Sequence, residues 1–183
     1  PRAAMAATAL RRGGSEEQKK KWLPAISEAK AIIALAVDEG RKHNPEATAL
    51  KAEMSGNAFR LNGDKSFVVD GHVADQIIVA ARTEGDPGQK EGISLFLIDA
   101  KSPSISIERV IGVDSRNNAR IKFENVHAAG TDALGDVGKG YALLENTLIA
   151  GRAGIAAEML GVAGESFDRT VAYLKERKQF GKF

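Results

Sequence analysis

Short apolar runs and strictly alternating stretches fill the middle of the chain. Ile77–Ala81 and Ile93–Ile98 are continuously apolar, which is typical of strands that are buried on both faces. Ile105–Val110 and Ala119–Val126 alternate apolar and polar residues, so each predicts a strand with one solvated face. Together with Ile32–Val37, these runs are closely spaced and have no helical pattern between them. The pattern therefore predicts an antiparallel β-barrel or sandwich rather than a Rossmann-type sheet.

Glycine-containing pairs mark the turns between these strands. Asn62-Gly63 predicts a type I′ hairpin turn, because both central residues of that turn need a positive φ. Ser55-Gly56-Asn57 predicts a second turn, and Gly85–Gly92 reads as a polar loop. Phe67-Val68-Val69 supplies bulky strand formers, and Asp70-Gly71 then ends that strand.

Helical patterns lie before this β region. Ala3–Leu10 is Ala-rich, and Gly13-Gly14 separates it from a second helix. Ser15 with Gln18 three residues later matches a capping box, which predicts where the second helix begins. Pro24 predicts a break or kink in that helix, because proline lacks the backbone N–H of an interior helical position.

A long helix is predicted after the β region. From Tyr141 to Arg177 the chain has no proline, and apolar residues recur at helical spacing. Many glycines and alanines lie within it, and each interior glycine costs about 1 kcal/mol relative to alanine. A helix surface made of such small side chains predicts that other helices pack closely against it. We expect those helices in another chain or beyond residue 183.

Composition narrows the class of protein. The chain has 183 residues, 43% of them hydrophobic and 27% charged, and a net charge of only +2, so no strong field for nucleic acid or anionic membranes is implied. It has no cysteine and no run long enough to span a membrane, which favours a cytoplasmic protein. His43, His72 and His127 lack metal-ligand spacing, so we expect no metal site.

Six motifs together resemble the acyl-CoA dehydrogenase family. They are Gly14–Lys19 with Trp22–Pro24, Leu61–Lys65, Gly71 followed by Ala74-Asp75, Gly138-Lys139-Gly140, Arg152 and Tyr173–Gly181, in the order and approximate spacing of that family. The resemblance implies an α+β fold in which a β-barrel or sandwich middle domain is flanked by helical segments. It divides the chain at 1–30 (end of an N-terminal helical domain), 31–135 (middle domain) and 136–183 (first helix of a C-terminal bundle), and implies a fragment of a longer protein.

The resemblance also implies a chemistry. Members of this family use FAD to remove a hydride from Cβ of an acyl-CoA thioester, while a glutamate takes the Cα proton. An electron-transfer flavoprotein-like acceptor and a homo- or hetero-oligomer, dimeric or tetrameric, would be the partners. Arg177, Gln179 and Phe180 match family residues near the FAD of a neighbouring subunit, and a guanidinium suits phosphate oxygens. The alternative for Arg177 is a solvated cation at a helix end.

Several positions depart from the family pattern. In an ungapped register, Val37 replaces a hydroxyl residue that bonds the flavin, and His43 replaces a serine beside the thioester. Phe67 can still stack on the flavin, although core burial would also explain it, and Val69 offers no side-chain hydrogen bond to the flavin N5. Loss of two such bonds would weaken FAD binding by about 1–3 kcal/mol. Arg152 matches an arginine near the substrate, with helix packing as its alternative role.

The catalytic base has no match in this chain. Most members carry that glutamate in a part of the C-terminal domain that lies beyond these residues. Others carry it immediately before the arginine that matches Arg152, where this chain has Gly151. Glu145 and Glu158 are better explained as solvated or salt-bridged residues. Two alternatives stay open: a non-catalytic subunit that completes a partner's flavin site, and a non-enzymatic β domain for protein interaction.

Overall fold

The computed structural model describes residues 2–113 and 117–181. Two helices precede the β region, eight strands and three short 3-10 turns form it, and one long helix follows. The helices are α1 (Arg2–Gly13), α2 (Glu16–Ser27) and α3 (Tyr141–Glu176). The strands are β1 (Ile33–Ala36), β2 (Lys51–Ser55), β3 (Ala58–Val69), β4 (Gln76–Arg82), β5 (Ile93–Asp99), β6 (Ile105–Ile111), β7 (Asn117–Ala129) and β8 (Ala133–Leu134). In the described part, no helix is both long and apolar enough to cross a membrane.

The start of α2 confirms the predicted capping box. The Gln18 backbone N–H donates to Ser15 Oγ at 3.2 Å, and the Ser15 N–H donates to Gln18 Oε1 at 2.8 Å. A break at Pro24 is wrong, because α2 continues through it to Ser27, whereas the alternative of a kink stays a prediction. Proline removes only one intrahelical bond there, one turn before the helix ends.

The strands form one sheet with the order β6-β7-β3-β2-β4-β5-β8, and β1 pairs with β4. Phe59 on β3 and Phe96 on β5 have ring centroids 5.1 Å apart. Three flat strand spacings would separate them by ~14 Å, so the sheet folds over and buries these rings between its halves. Most pairs are antiparallel, but β1 runs parallel to β4, so the sheet is mixed. Within the described residues it does not close into a barrel.

Strand β4 is buried on both faces, as its continuous apolar run predicts. Ile77, Val79 and Ala81 belong to the core inside the folded sheet. Ile78 and Ala80 belong to a second core, which gathers side chains from β1, β5, α1 and the first turns of α3. The sheet thus serves as a common wall between its own interior and the helices.

The predicted hairpin at Asn62-Gly63 is wrong. Both residues lie inside β3, which is continuous from Ala58 to Val69, and the β2–β3 turn lies at Gly56-Asn57 as the second turn signal predicts. Asn62 Oδ1 instead accepts the backbone N–H of Asn125 at 2.8 Å. Asn125 has a φ of +56° and is the extra residue of a β-bulge in β7.

A second bulge lies in β3 itself. Lys65 pairs with Ile121 and Val68 pairs with Ala119, so β3 uses one more residue than β7 over this stretch. The bulge restores the register that the Asn125 bulge shifts. Phe67 lies in it with a φ of +53°, which is unfavourable for a bulky side chain.

Helix α3 packs on the rest of the described chain only near its beginning. Its buried residues are Leu144, Thr147 and Gly151. The later apolar residues are exposed, among them Leu160 and Phe167. The close-packing partners expected for this helix stay a prediction.

Candidate functional site

A groove of about 600 Å³ lies between α1, the end of β3 and α3. It brings together His43, Val69 and Arg152, three of the residues singled out in the sequence, from positions far apart in the chain. Its lining is otherwise mostly apolar. The lining residues are Arg2, Ala3, Met5, His43, Val69, Asp70, Leu148, Gly151, Arg152 and Ile155.

The end of β3 fixes one wall of this groove. Asp70 adopts a left-handed conformation with a φ of +59°, and its backbone N–H donates to the Asn117 carbonyl at 2.6 Å. Its carboxylate accepts a hydrogen bond from the Arg2 guanidinium, which ties the beginning of α1 to the strand. On the opposite wall, Gly151 of α3 leaves room for Met5, whose Sδ would lie 2.6 Å from any added Cβ.

His43 is held by a carboxylate. Its Nδ1 lies 2.9 Å from Asp38 Oδ2 and 3.0 Å from Oδ1. The Asn44 backbone N–H also donates to Asp38 Oδ1, at 3.2 Å. The carboxylate thus orients the imidazole and fixes the turn that carries it.

A buried lysine anchors the loop of residues 38–44 to β3. The Lys65 ammonium donates to the Val37 carbonyl at 2.8 Å and to Glu39 Oε1 at 2.7 Å, and its side chain is 0% exposed. The Glu39 carboxylate also accepts the Leu50 N–H at 2.9 Å. Burial lowers the pKa of Lys65, although the Glu39 carboxylate acts in the opposite direction. Next to it, Ser66 N–H donates to the Asp38 carbonyl at 2.7 Å.

Comparison with known proteins identifies this arrangement. The acyl-CoA dehydrogenase middle domain matches residues 34–126, and the acyl-CoA dehydrogenase C-terminal domain matches residues 138–183. The chain belongs to the acyl-CoA dehydrogenase family. The fold inferred from the resemblance is therefore confirmed as α+β, with the mixed, open sheet described above.

Relatives in this family are longer than the chain. The short/branched chain specific mitochondrial acyl-CoA dehydrogenase of Bos taurus is 36% identical over 92% of this chain and 40% of its own length. Butyryl-CoA dehydrogenase from Megasphaera elsdenii superposes with a TM-score of 0.90 at 29% identity, over 98% of this chain and 48% of that one. An FAD complex of PigA gives a TM-score of 0.91 at 27% identity, over 98% and 48%. The chain thus spans less than half the length of these proteins.

Two residues expected at the flavin of an acyl-CoA dehydrogenase lie outside the groove lining. Phe67 is 59% exposed on the solvent side of the β3 bulge, so core burial does not explain it. Val37 is 6% exposed, and its carbonyl is already bonded to Lys65. It borders a smaller cavity of about 390 Å³ beside the 38–44 loop. Contact of either residue with a flavin stays a prediction.

The residues expected at a neighbouring subunit's FAD lie at the far end of α3. Arg177 is the C-cap, with its guanidinium 5.3 Å from the centre of the Tyr173 ring. Gln179 and Phe180 follow it, and Phe180 is fully exposed with a φ of +52°. The structure does not bring these three to the groove, so their role stays a prediction that requires a second subunit.

Several groove residues escaped the sequence reasoning. Arg2, Met5 and Asp70 carry no motif, and the Arg2–Asp70 contact joins residues 68 positions apart. Lys65, which anchors the 38–44 loop and does not line the groove, offered one signal, because a lysine that points with the apolar side chains of a strand must be paired or solvated. Nothing in the local pattern identified Val37 and Glu39 as its partners.

Proposed function

We propose that this chain is part of an FAD-dependent enzyme that oxidises the α,β bond of acyl-CoA thioesters. The observation that carries the proposal is the groove, which gathers His43, Val69 and Arg152. The resemblance associates each of them separately with the flavin or the substrate thioester. Their convergence in a largely apolar cavity is what a thioester with an alkyl chain requires.

The residues present fit a flavin. When bound, FAD supplies the acceptor for the hydride that leaves Cβ. Phe67 offers an exposed aromatic face, and it is held there by a strained backbone conformation of the kind that concentrates at functional sites. Val69, two residues further on, gives an apolar wall. With no side-chain hydroxyl at Val37 or Val69, the polar edge of the flavin would depend on backbone groups.

The remaining features of the site belong to the same proposal. Arg177, Gln179 and Phe180 would contact the FAD of a neighbouring subunit, so the protein would be an oligomer. An electron-transfer flavoprotein-like acceptor would reoxidise the flavin. The domain borders at residues 30 and 135 fit the gaps between α2 and β1 and between β8 and α3. A cytoplasmic location stays a prediction from composition.

The visible spectrum of the full-length protein tests the proposal. A yellow protein, or a colourless one that takes up FAD and then absorbs in the blue, is expected. Turnover on a panel of acyl-CoA thioesters with an artificial electron acceptor is the second expectation. A protein that stays colourless with excess FAD would overturn the proposal. A yellow protein without turnover would favour the non-catalytic subunit instead.

A matched pair of variants tests whether Val69 contacts the flavin. Val69→Thr adds a hydroxyl where the family carries one, whereas Val73→Thr makes the same change on a half-exposed turn outside the groove. A new hydrogen bond is worth about 0.5–1.5 kcal/mol, so Val69→Thr is expected to tighten FAD binding by roughly 2- to 10-fold. Equal FAD affinities for the two variants would place Val69 away from the flavin.

A further inference from the structure

The groove has a polar side that apolar acyl chains do not need. His43 lines it, and because Nδ1 is bonded to Asp38, Nε2 is the ring nitrogen left for a ligand. Nε2 accepts a hydrogen bond from a hydroxyl when the ring is an imidazole and donates one to a carboxylate when it is an imidazolium. Arg152 lines it too, and its guanidinium has no ion pair or hydrogen bond among the described residues. Arg2 is the third basic residue, but the Asp70 carboxylate already neutralises it.

His43 is held in place, although its side chain is 47% exposed. Asp38 bonds the ring through both carboxylate oxygens and bonds the next backbone N–H as well. The Asp38 carbonyl is in turn bonded to Ser66 of β3, beside the buried Lys65. An imidazole oriented in this way loses little conformational entropy when it bonds a ligand, which favours specific recognition.

Burying a plain alkyl chain against these groups has a cost. An alkyl chain displaces water from the imidazole and the guanidinium without replacing their hydrogen bonds. An acyl chain with an oxygen substituent replaces those bonds while its methylene groups occupy the apolar part of the groove. Such groups discriminate strongly between thioesters with and without an oxygen substituent when the groups are fully buried. The discrimination is smaller when the groups are partly exposed, as here.

We propose that His43, oriented by Asp38, is a specificity-determining residue that favours acyl thioesters carrying a hydroxyl or carboxylate over plain alkyl thioesters. This inference rests on the proposed function, because it assumes that the groove accepts acyl thioesters. Asp38 is a positioning residue, since it acts through the imidazole. Arg152 supplies the additional attraction that a carboxylate would have over a hydroxyl.

Three thioesters of equal chain length test the proposal. Pentanoyl-, 5-hydroxypentanoyl- and glutaryl-CoA differ only at the end of the acyl chain, so contributions from the coenzyme A phosphates cancel in the ratios of their affinities. Calorimetric titration of the full-length protein measures the three dissociation constants, and kcat/KM is measured where turnover occurs. We expect the oxygen-bearing thioesters to bind about tenfold tighter than pentanoyl-CoA.

Variants separate His43 from a general effect on the fold. His43→Ser is expected to reduce that preference to threefold or less, and Asp38→Asn to reduce it partly. His43→Gln, which keeps a hydrogen-bonding side chain, is expected to retain more of it than serine. His127→Ser, on an exposed position of β7, is the control and leaves the preference unchanged.

Two results would overturn the inference. One is a wild-type protein that binds pentanoyl-CoA as tightly as its oxygen-bearing analogues. The other is an unchanged preference in both His43→Ser and His43→Gln. A protein that shows the binding preference but no flavin and no turnover would instead refute the proposed dehydrogenase activity, so the two failures are distinguishable.

Discussion

Replacing Lys65 with methionine tests the anchor that joins β3 to the 38–44 loop. Methionine keeps an apolar stem of similar length but removes the ammonium, which lies 2.7 Å from Glu39 Oε1 and 2.8 Å from the Val37 carbonyl. Glu39 is 21% exposed, so its carboxylate would stay largely buried without its cation. We therefore expect the loop, rather than the sheet core, to lose stability.

The magnitude follows from the contacts that remain. Removing one partner of a buried ion pair costs about 3–5 kcal/mol. Glu39 keeps the backbone N–H groups of Ala49 and Leu50, at 2.9 Å each, so the lower end of that range applies. About 3 kcal/mol corresponds to a roughly 100-fold rise in the equilibrium constant for local opening. Hydrogen exchange of the peptide that spans residues 38–50, followed by mass spectrometry, measures that change.

Two further variants make the measurement specific. Lys51→Met changes an exposed lysine on β2 and is expected to alter the free energy of local opening by less than about 0.5 kcal/mol. Combining Glu39→Gln with Lys65→Met removes the carboxylate charge that Lys65→Met alone leaves unpaired. The free energy of local opening is therefore expected to fall by less in the double variant than the sum of the two single variants predicts. Unchanged exchange in Lys65→Met, or strict additivity in the double variant, would refute the reasoning.

The pH dependence gives an independent check on Lys65. Burial holds its pKa below the ordinary value of 10.5 in the folded protein. Between the folded and unfolded pKa values the unfolded chain binds more protons, so the contribution of Lys65 to the free energy of unfolding rises with pH across that window. Lys65→Met is expected to remove this rise, which the same exchange experiment measures at several alkaline pH values.

Three other predictions concern Arg82, Gly63 and the activity of the isolated chain. Arg82 donates hydrogen bonds to five backbone carbonyls, so Arg82→Lys, which cannot reach them all, is expected to lower the free energy of unfolding by at least about 2 kcal/mol in thermal denaturation. Gly63→Ala is expected to lower the free energy of unfolding by about 1–3 kcal/mol, because φ is +143° and the new Cβ would lie 3.0 Å from Leu50 Cα. Gly88→Ala also has a positive φ, of +103°, but its Cβ meets open space, so it is expected to cost less in the same assay. The 183-residue chain alone is expected to show no dehydrogenase turnover, because the reaction needs a carboxylate base. Among the described residues Asp70 is the only carboxylate that lines the groove, and it is already bonded to Arg2. Measurable reduction of an electron acceptor would contradict this prediction.

Local signals predicted most of the elements. The capping box at Ser15 located the start of α2, because both of its partners lie within one turn. The long helix predicted to begin at Tyr141 ends at Glu176, one residue before the predicted limit. The apolar run of β4 also predicted correctly that this strand is buried on both faces, because the strand's own sequence carries that signal.

Signals that depend on a distant partner were misread. Asn62-Gly63 has the composition of a hairpin turn, but the Asn62 amide bonds a bulge residue 63 positions away, and the pair stays inside a strand. The parallel pairing of β1 with β4 was missed for the same reason, since strand direction is set by chain connectivity. The resemblance to a family identified His43, Val69 and Arg152, whereas composition and spacing alone did not.

Strand β3 links the stability of this domain to the chemistry proposed for it. Within five residues it carries the buried Lys65, the Ser66 that bonds the 38–44 loop, the strained Phe67 and the groove-lining Val69. The bulge at Phe67 is what allows Lys65 and Val68 both to be buried while Phe67 is exposed between them. Deletion of Ser66 would remove the extra residue of this bulge, so Val68 and Val69 would keep their partners Ala119 and Asn118 on β7. The deletion would also remove the two hydrogen bonds that Ser66 donates to the 38–44 loop. The groove would then keep Val69 but lose this anchor of the loop that carries His43, so substrate preference is expected to fall while flavin uptake is retained.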